Sequence, residues 1–270
     1  METKEILDML LEKIASIDEV RAIGMSGDKT SLPMAGEGDI DIFVYCKSIP
    51  KCEIRESIMS EIKELENFKV NVFEEGHWGI ADFGLINGVE TWVMYFTMEE
   101  TTLNIESILK GDYPDKLDNY YYPIGRCAML KDISIIYDKD GFLQSMKNRL
   151  SDYPSNLAEV LTQYHIELLE DTEDLERAVT RKDVLFYHFA LDLALDHFLQ
   201  ALFALNKTYF PSRKRSIQFI TKFLITPSNC SERLLEVVRL GGNGETLDQS
   251  YALWTELVHE LRVKITSPNL

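Results

Sequence analysis

Apolar residues recur at helical spacing from the start of the chain. Ile6, Leu7, Met9, Leu10, Leu11 and Ile14 fall on one side of an amphipathic helix over about residues 3–15. Short apolar runs at 20–23 and 39–46 then predict two strands. Ile54, Ile58, Ile62 and Leu65 share one face of a helix over 54–65, which leads into a strand at 69–73. Two further strands, 79–85 and 89–96, are joined at Asn87-Gly88, the dipeptide best suited to a two-residue hairpin turn. A helix over 104–109, a loop rich in Asp, Tyr and Pro, a strand at 133–137 and a turn at 138–141 complete a mixed first half.

After Pro154 the period changes. Helical spacing dominates the runs 157–180, 183–207, 212–225, 231–240 and 245–265, with Pro211, Pro227 and Gly241-Gly242 as punctuation. The prediction is an α+β fold, with a mixed-sheet domain over 1–150 and an all-helical bundle over 151–270. The last residues, 267–270, read as a frayed end.

Composition changes this picture in one respect. The 45% hydrophobic and 27% charged content of the 270 residues is ordinary for a globular protein, whereas a formal net charge of −17 is not. So acidic a surface repels nucleic-acid backbones and attracts cations, so the partner expected is a small cationic molecule and no nucleic acid. Cys46, Cys52, Cys127 and Cys230 lack Cys-x-x-Cys spacing, and Met1 leads directly into a charged amphipathic stretch, so no signal peptide is expected. Free thiols in the cytoplasm are expected. The most apolar run, 184–205, is interrupted by Asp192, Asp196 and two histidines, so it falls short of the roughly 20 uncharged residues of a membrane span.

The candidate chemistry lies between the first two strands. Asp39 and Asp41 are two apart on a strand and point to one face, while Ile40, Ile42 and Val44 point to the other. Neighbouring carboxylates repel unless a positive charge lies between them, and Asp oxygens suit Mg²⁺. The strand before them stops at Gly24, and the turn that follows can offer backbone N–H groups to a phosphate.

A strand, a Gly turn and a second strand carrying Asp-x-Asp resemble the nucleotidyltransferase superfamily, in the branch with a helical C-terminal domain that includes aminoglycoside and lincosamide nucleotidyltransferases. The family pattern is a Gly-Ser turn followed at a distance by Asp-x-Asp. Gly27 falls at the glycine and Asp28 at the serine, with residues 29–38 between the turn and Asp39. The resemblance implies that Asp39 and Asp41 hold Mg²⁺, that ATP or another NTP is the co-substrate, and that Ser26, Gly27 and Asp28 form the phosphate turn. It implies a hydroxyl acceptor such as an antibiotic. A second stretch, Asn206, Tyr209, Pro211 and Lys214, resembles the helical domain of the same branch, with Lys214 expected on the phosphates.

Two positions depart from the pattern. Asp28 brings negative charge where the family has a serine hydroxyl, so either Ser26 substitutes as donor, Asp28 turns away or onto metal, or phosphate binding is weakened. Relatives carry a third acid just before a Val-Met-Tyr-like run, and here Trp92 stands there. Glu90, two residues earlier and about 7 Å further along the strand, is the expected third carboxylate. The alternative is a degenerate fold that binds or regulates without chemistry, or an enzyme that nucleotidylates a protein.

On the long helix His188, Asp192, Asp196 and Gln200 recur every four residues as one polar stripe, which either faces solvent or presents Asp192 or Asp196 as a general base. Trp78 reads as a base-stacking or a core residue, and Tyr120, Tyr121 and Tyr122 as a pocket lining or a domain junction. An acidic face runs through Glu167, Glu170, Asp171, Glu173, Asp174 and Glu176.

Overall fold

The structure is a computed structural model and describes residues 1–27, 31–74, 79–112, 122–170 and 172–266. Asp28, His77, Trp78, Tyr120, Tyr121 and Asp171 lie outside the described residues. The chain divides into two compact units, Met1–Glu106 with Met129–Asp152, and Ser107–Ala128 with Tyr153–Leu270. The fold is α+β.

The first unit opens with α1 (Thr3–Ala15), β1 (Val20–Met25), β2 (Asp39–Cys46), α2 (Cys52–Ser60), β3 (Leu65–Phe73), β4 (Ile80–Ile86) and β5 (Val89–Thr97). After α3 (Met98–Leu109) and α4 (Pro123–Asp132), each of which contains a boundary between the units, come β6 (Ser134–Asp138) and α5 (Phe142–Leu150). The sheet order is β3-β4-β5-β2-β1-β6. β2 runs parallel to β5 and the other pairings are antiparallel.

The alternation of side chains gives the sheet two unlike faces. Ile40, Ile42 and Val44 of β2 and Val89, Val93 and Tyr95 of β5 pack with Ile6, Leu7, Leu10, Leu11 and Ile14 of α1 in the hydrophobic core. The other face carries Asp39, Asp41, Phe43 and Tyr45 beside Glu90, Trp92, Met94 and Phe96. α5 covers the Tyr45 end of that face, with the Phe142 ring 5.4 Å from Tyr45. Gly24 has no room for a side chain there, since a Cβ would lie 2.3 Å from Cδ1 of Ile133.

A buried ion pair ties the α2 side together. Arg55 is 2% exposed and Asp82 0%, and the guanidinium is hydrogen-bonded to Asp82, to the Pro50 carbonyl at 3.1 Å and to the Asn71 side chain. The Asn71 N–H also donates to Asp82 at 3.0 Å. Burial pushes the Asp82 carboxyl above its usual range, against the pull of the Asn71 N–H and Arg55.

In the second unit α6 (Ser155–Leu168), α7 (Glu173–Arg181), α8 (Val184–Leu205), the short α9 (Ser216–Ile220), α10 (Cys230–Gly241) and α11 (Leu247–Thr266) form a helical bundle. α8 lies at its centre, burying Phe198, Leu199, Leu202 and Phe203, with Phe198 against Trp254 of α11 at 5.3 Å. Residues 122–128 join this unit because Tyr122 packs edge-on against Phe210 and Gly125 sits under the Pro211 carbonyl.

Several expected elements differ. The helix of 54–65 ends at Ser60, because Ile62 and Leu65 reach the core from a turn and from the start of β3 while keeping a helical spacing. β3 begins at Leu65 rather than 69, its alternation broken where Asn67 and Asn71 adopt positive φ of 51° and 54°. α3 starts at Met98, before the expected 104, and α4 and α5 occupy segments expected to be loop or unassigned. The run 157–180 is two helices, and 212–225 contains only α9, preceded by Arg215 in the left-handed region at φ 62°. Among the described residues no helix is long and apolar enough to cross a membrane.

Candidate functional site

β1 runs out at Met25 and the chain turns at Ser26 and Gly27. Gly27 has φ +76°, a conformation that L side chains rarely adopt, and a Cβ there would meet nothing within 4 Å. The turn is held on both sides. The Ser26 N–H donates to the Asp41 carbonyl at 3.2 Å, the Ser26 hydroxyl donates to Asp41 Oδ2 at 3.2 Å, and the Gly27 carbonyl accepts from the Ser134 hydroxyl at 3.0 Å. Ser26 and Gly27 are both exposed.

Strand pairing places the carboxylates. Asp39 is exposed at the first position of β2, Asp41 is half-buried two positions on, and Ile40 between them is in the core. Parallel pairing with β5 sets Glu90 opposite Asp39 and Trp92 opposite Asp41, on strands roughly 5 Å apart. Glu90 is exposed, and its carboxylate makes no hydrogen bond or ion pair among the described residues. Among the described residues no group of three or more His, Cys, Asp or Glu is disposed to hold a metal. Glu90 is a neighbour of the aspartate pair across the β2–β5 pairing. Two carboxylates that share a face still fit Mg²⁺, which commonly binds one or two protein carboxylates and completes its shell with water and substrate phosphates.

Beside the aspartates lies a cluster of rings that the sequence reading did not identify. Trp92 stacks on Phe73 at 5.7 Å between centroids and meets Phe83 at 4.8 Å. Phe73 is 43% exposed, and Phe83 and Trp92 are half-buried. The signal was available in the hairpin. Asn87-Gly88 pairs Ile86 with Val89, and counting outward three residues from each pairs Phe83 with Trp92.

The other expected site residues belong to the second unit. Lys214 is exposed, and its N–H bonds the Ser212 hydroxyl at 3.2 Å. Asp192, expected as a general base, is an ion-pair partner of Arg213, which also donates to the Asp192 carbonyl at 2.8 Å. The same guanidinium donates to both oxygens of Asp196, from Nε at 2.6 Å and from Nη2 at 2.7 Å. Asp196 is 4% exposed and also accepts from the Tyr122 hydroxyl at 2.7 Å. Its hydrogen bonds raise the Arg213 pKa further, and burial, then the bond to Asp196, raises that of the Tyr122 phenol. The polar stripe neither faces solvent as a whole nor presents a free base: it runs from exposed Asp192 inward to buried Asp196 and Gln200, and Arg213 claims both carboxylates. Arg213 went unremarked because nothing in helical periodicity marks a loop residue as a partner.

A family model described as a domain of unknown function, DUF4037, matches residues 122–215. That segment includes Tyr122, Asp192, Asp196 and Arg213. Among solved structures the chain is similar to a nucleotidyltransferase-like protein from Exiguobacterium sibiricum 255-15, at 11% identity and TM-score 0.49, over 97% of this chain and 76% of that one. It is also similar to an aminoglycoside 6-adenyltransferase from Bacillus subtilis, at 12% identity and TM-score 0.29, over 100% of this chain and 94% of that one. No curated protein matches the chain.

Proposed function

We propose that this chain is a nucleotidyltransferase that moves a nucleoside monophosphate from ATP or another NTP to a hydroxyl group of a small cationic acceptor. The observation that carries the reading is the pair Asp39 and Asp41 on one sheet face, with Asp41 bonded through its carbonyl and carboxylate to Ser26 of an exposed glycine turn. An exposed turn of small residues can present backbone N–H groups to phosphate, and Ser26 adds a hydroxyl. The resemblance of the Gly27 turn and Asp39-x-Asp41 to the superfamily motif supports the same reading.

Asp39 and Asp41 would hold Mg²⁺, which when bound neutralises the triphosphate and the leaving pyrophosphate. The acceptor oxygen forms a bond to the α-phosphorus as the bond from that phosphorus to the bridging oxygen breaks. The electron pair leaves with pyrophosphate and the hydroxyl proton passes to water. A loose transition state of this type asks little of a protein base and much of positioning. Asp192 is not retained as the base, because Arg213 engages its carboxylate. The net charge of −17 favours a cationic acceptor, and an aminoglycoside is the one the motif resemblance points to.

A second reading, a nucleotide-binding module without transfer, is favoured by Trp92 opposite Asp41, an indole where the resembled superfamily pattern implies an acid. The test is calorimetric titration of ATP with and without Mg²⁺, into the wild-type chain and the Asp39→Asn/Asp41→Asn double variant. Binding that needs both metal and the aspartates supports the nucleotide site. Product formation with labelled nucleotide and aminoglycoside acceptors then separates enzyme from module, and absence of ATP binding, with the same titrations of GTP, CTP and UTP also blank, overturns both.

A further inference from the structure

We infer that Glu90, Trp92, Phe83 and Phe73 form a subsite for a ring-bearing alkylammonium compound, with the ring on the Trp92–Phe73 shelf and the ammonium group at Glu90. Its use as the acceptor subsite rests on the proposed function. Its binding of organic cations does not.

Three observations carry it. The first is the shelf: three aromatic rings lie in continuous contact on one sheet face, with Phe73 exposed at its outer edge. An exposed edge of stacked rings offers a flat apolar surface whose π-faces attract a cation. The second is the charge beside it. Glu90 precedes Trp92 by two on the same face of β5 and is exposed without a partner among the described residues. Exposed and without an ion-pair partner among the described residues, the Glu90 carboxylate is available to an organic cation. The third is the surrounding balance. Along the same face Glu66 pairs with Leu85 and Lys69 with Phe83, one acid and one base that offset each other, leaving the carboxylates of Asp39, Asp41 and Glu90 to set the sign of the field.

The arrangement divides the labour on one sheet face. Asp39 and Asp41 lie on β2 next to the glycine turn, while the rings extend outward through β5, β4 and β3. A compound whose ring lies on Trp92 has its substituents next to Asp41, because the two residues are opposite one another in register. An acid at position 92 would have repaid a metal ion. An indole there selects for a flat ring instead.

The probe is benzyltrimethylammonium, with benzyl alcohol as its neutral counterpart, titrated calorimetrically into the full chain without nucleotide. The expected result is that the cation binds more tightly than the alcohol. Glu90→Gln is expected to weaken the cation about tenfold while leaving the alcohol unchanged, and Phe73→Ala to weaken both about threefold. Trp92→Leu is expected to weaken both about tenfold, and because Trp92 is half-buried the exposed Phe73 and Glu90 variants keep the result readable if that variant misfolds. Equal affinity of the wild-type chain and the Glu90 and Phe73 variants for the cation, or no binding at all, overturns the inference. The same variants are titrated with ATP and Mg²⁺. Cation binding by the wild type with no binding of ATP, GTP, CTP or UTP leaves the subsite standing and removes the transferase reading, whereas nucleotide binding without cation binding does the reverse.

Discussion

Trp92 stands directly opposite Asp41 across the parallel pairing of β2 and β5. The same register sets Glu90 against Asp39, one step toward the strand start. The indole therefore occupies the neighbouring position on the sheet from which a side chain would most easily join the aspartates. A metal ion held by Asp39 and Asp41 would have two carboxylates from these strands and would complete its shell with further oxygen ligands such as water and phosphate, an arrangement common for Mg²⁺.

The first prediction concerns those two carboxylates. Asp41→Asn keeps a side-chain oxygen that can accept from the Ser26 hydroxyl, so the turn stays in place while the charge is lost. Thermal stability is expected to change little, Mg²⁺-dependent ATP affinity to fall at least about tenfold and transfer about a hundredfold or more. Calorimetry and a transfer assay check it, and Mg²⁺-dependent binding at wild-type strength would remove Asp41 from the site.

Gly125 offers a test in which the usual rule reverses. Replacing a helical glycine by alanine ordinarily stabilises by about 1 kcal/mol. In α4, however, the added Cβ would lie 2.7 Å from the Pro211 carbonyl oxygen, a backbone atom that cannot rotate away. Gly125→Ala is expected to destabilise by about 1–3 kcal/mol, read from denaturant unfolding of the full chain.

The acid side of the stability profile has an identifiable contributor. Glu260 accepts from the Ser228 N–H at 2.8 Å and from Arg233 at 2.6 Å, and these bonds, the Ser228 N–H foremost, hold its carboxyl below its ordinary value of 4.5. A carboxyl lowered in the folded state stabilises it above the unfolded-state value, and that contribution disappears as pH falls through the folded-state value. Glu260→Gln is therefore expected to be less stable than the wild type at pH 7, with the gap closing below about pH 4.5. A gap that stays constant with pH would show that the charge of Glu260 is not what matters.

How far the sequence carried the fold depended on whether period or geometry decided each element. Asp39 and Asp41 with Ile40, Ile42 and Val44 were legible as a two-faced strand, because alternation is a property of neighbouring residues alone. The hairpin at Asn87-Gly88 was equally local. β3 was legible only in part, since Asn67 and Asn71 at positive φ shift its faces twice, and Asn71 is held by the buried Arg55–Asp82 pair from distant parts of the chain. The aspartate pair and the turn before it were readable for the same local reason. The place of Glu90 relative to Asp39 was not, because it depends on a parallel pairing between strands separated by the whole of α2, β3 and β4. Nor was the attachment of Asp192 to Arg213, which a helical period places on a face without saying what meets it.

That attachment yields the last prediction. Arg213 joins exposed Asp192 to buried Asp196, and Tyr122 donates to the same Asp196 oxygen that accepts from Arg213 Nε. Removing the guanidinium leaves Asp196 buried with one hydroxyl as its partner, whereas removing Asp192 costs only an exposed end of the pair. Arg213→Met is expected to destabilise the chain by about 3 kcal/mol, and Asp192→Asn by less than about 1 kcal/mol. Adding Asp196→Leu to Arg213→Met removes the stranded charge and is expected to recover part of the loss, at the expense of an unpaired Tyr122 hydroxyl. Urea unfolding of the three variants and the wild type reads these differences. If Asp192→Asn proves as damaging as Arg213→Met, then the exposed arm of the pair carries the stability, and the buried arm around Asp196 and Tyr122 does not anchor Arg213.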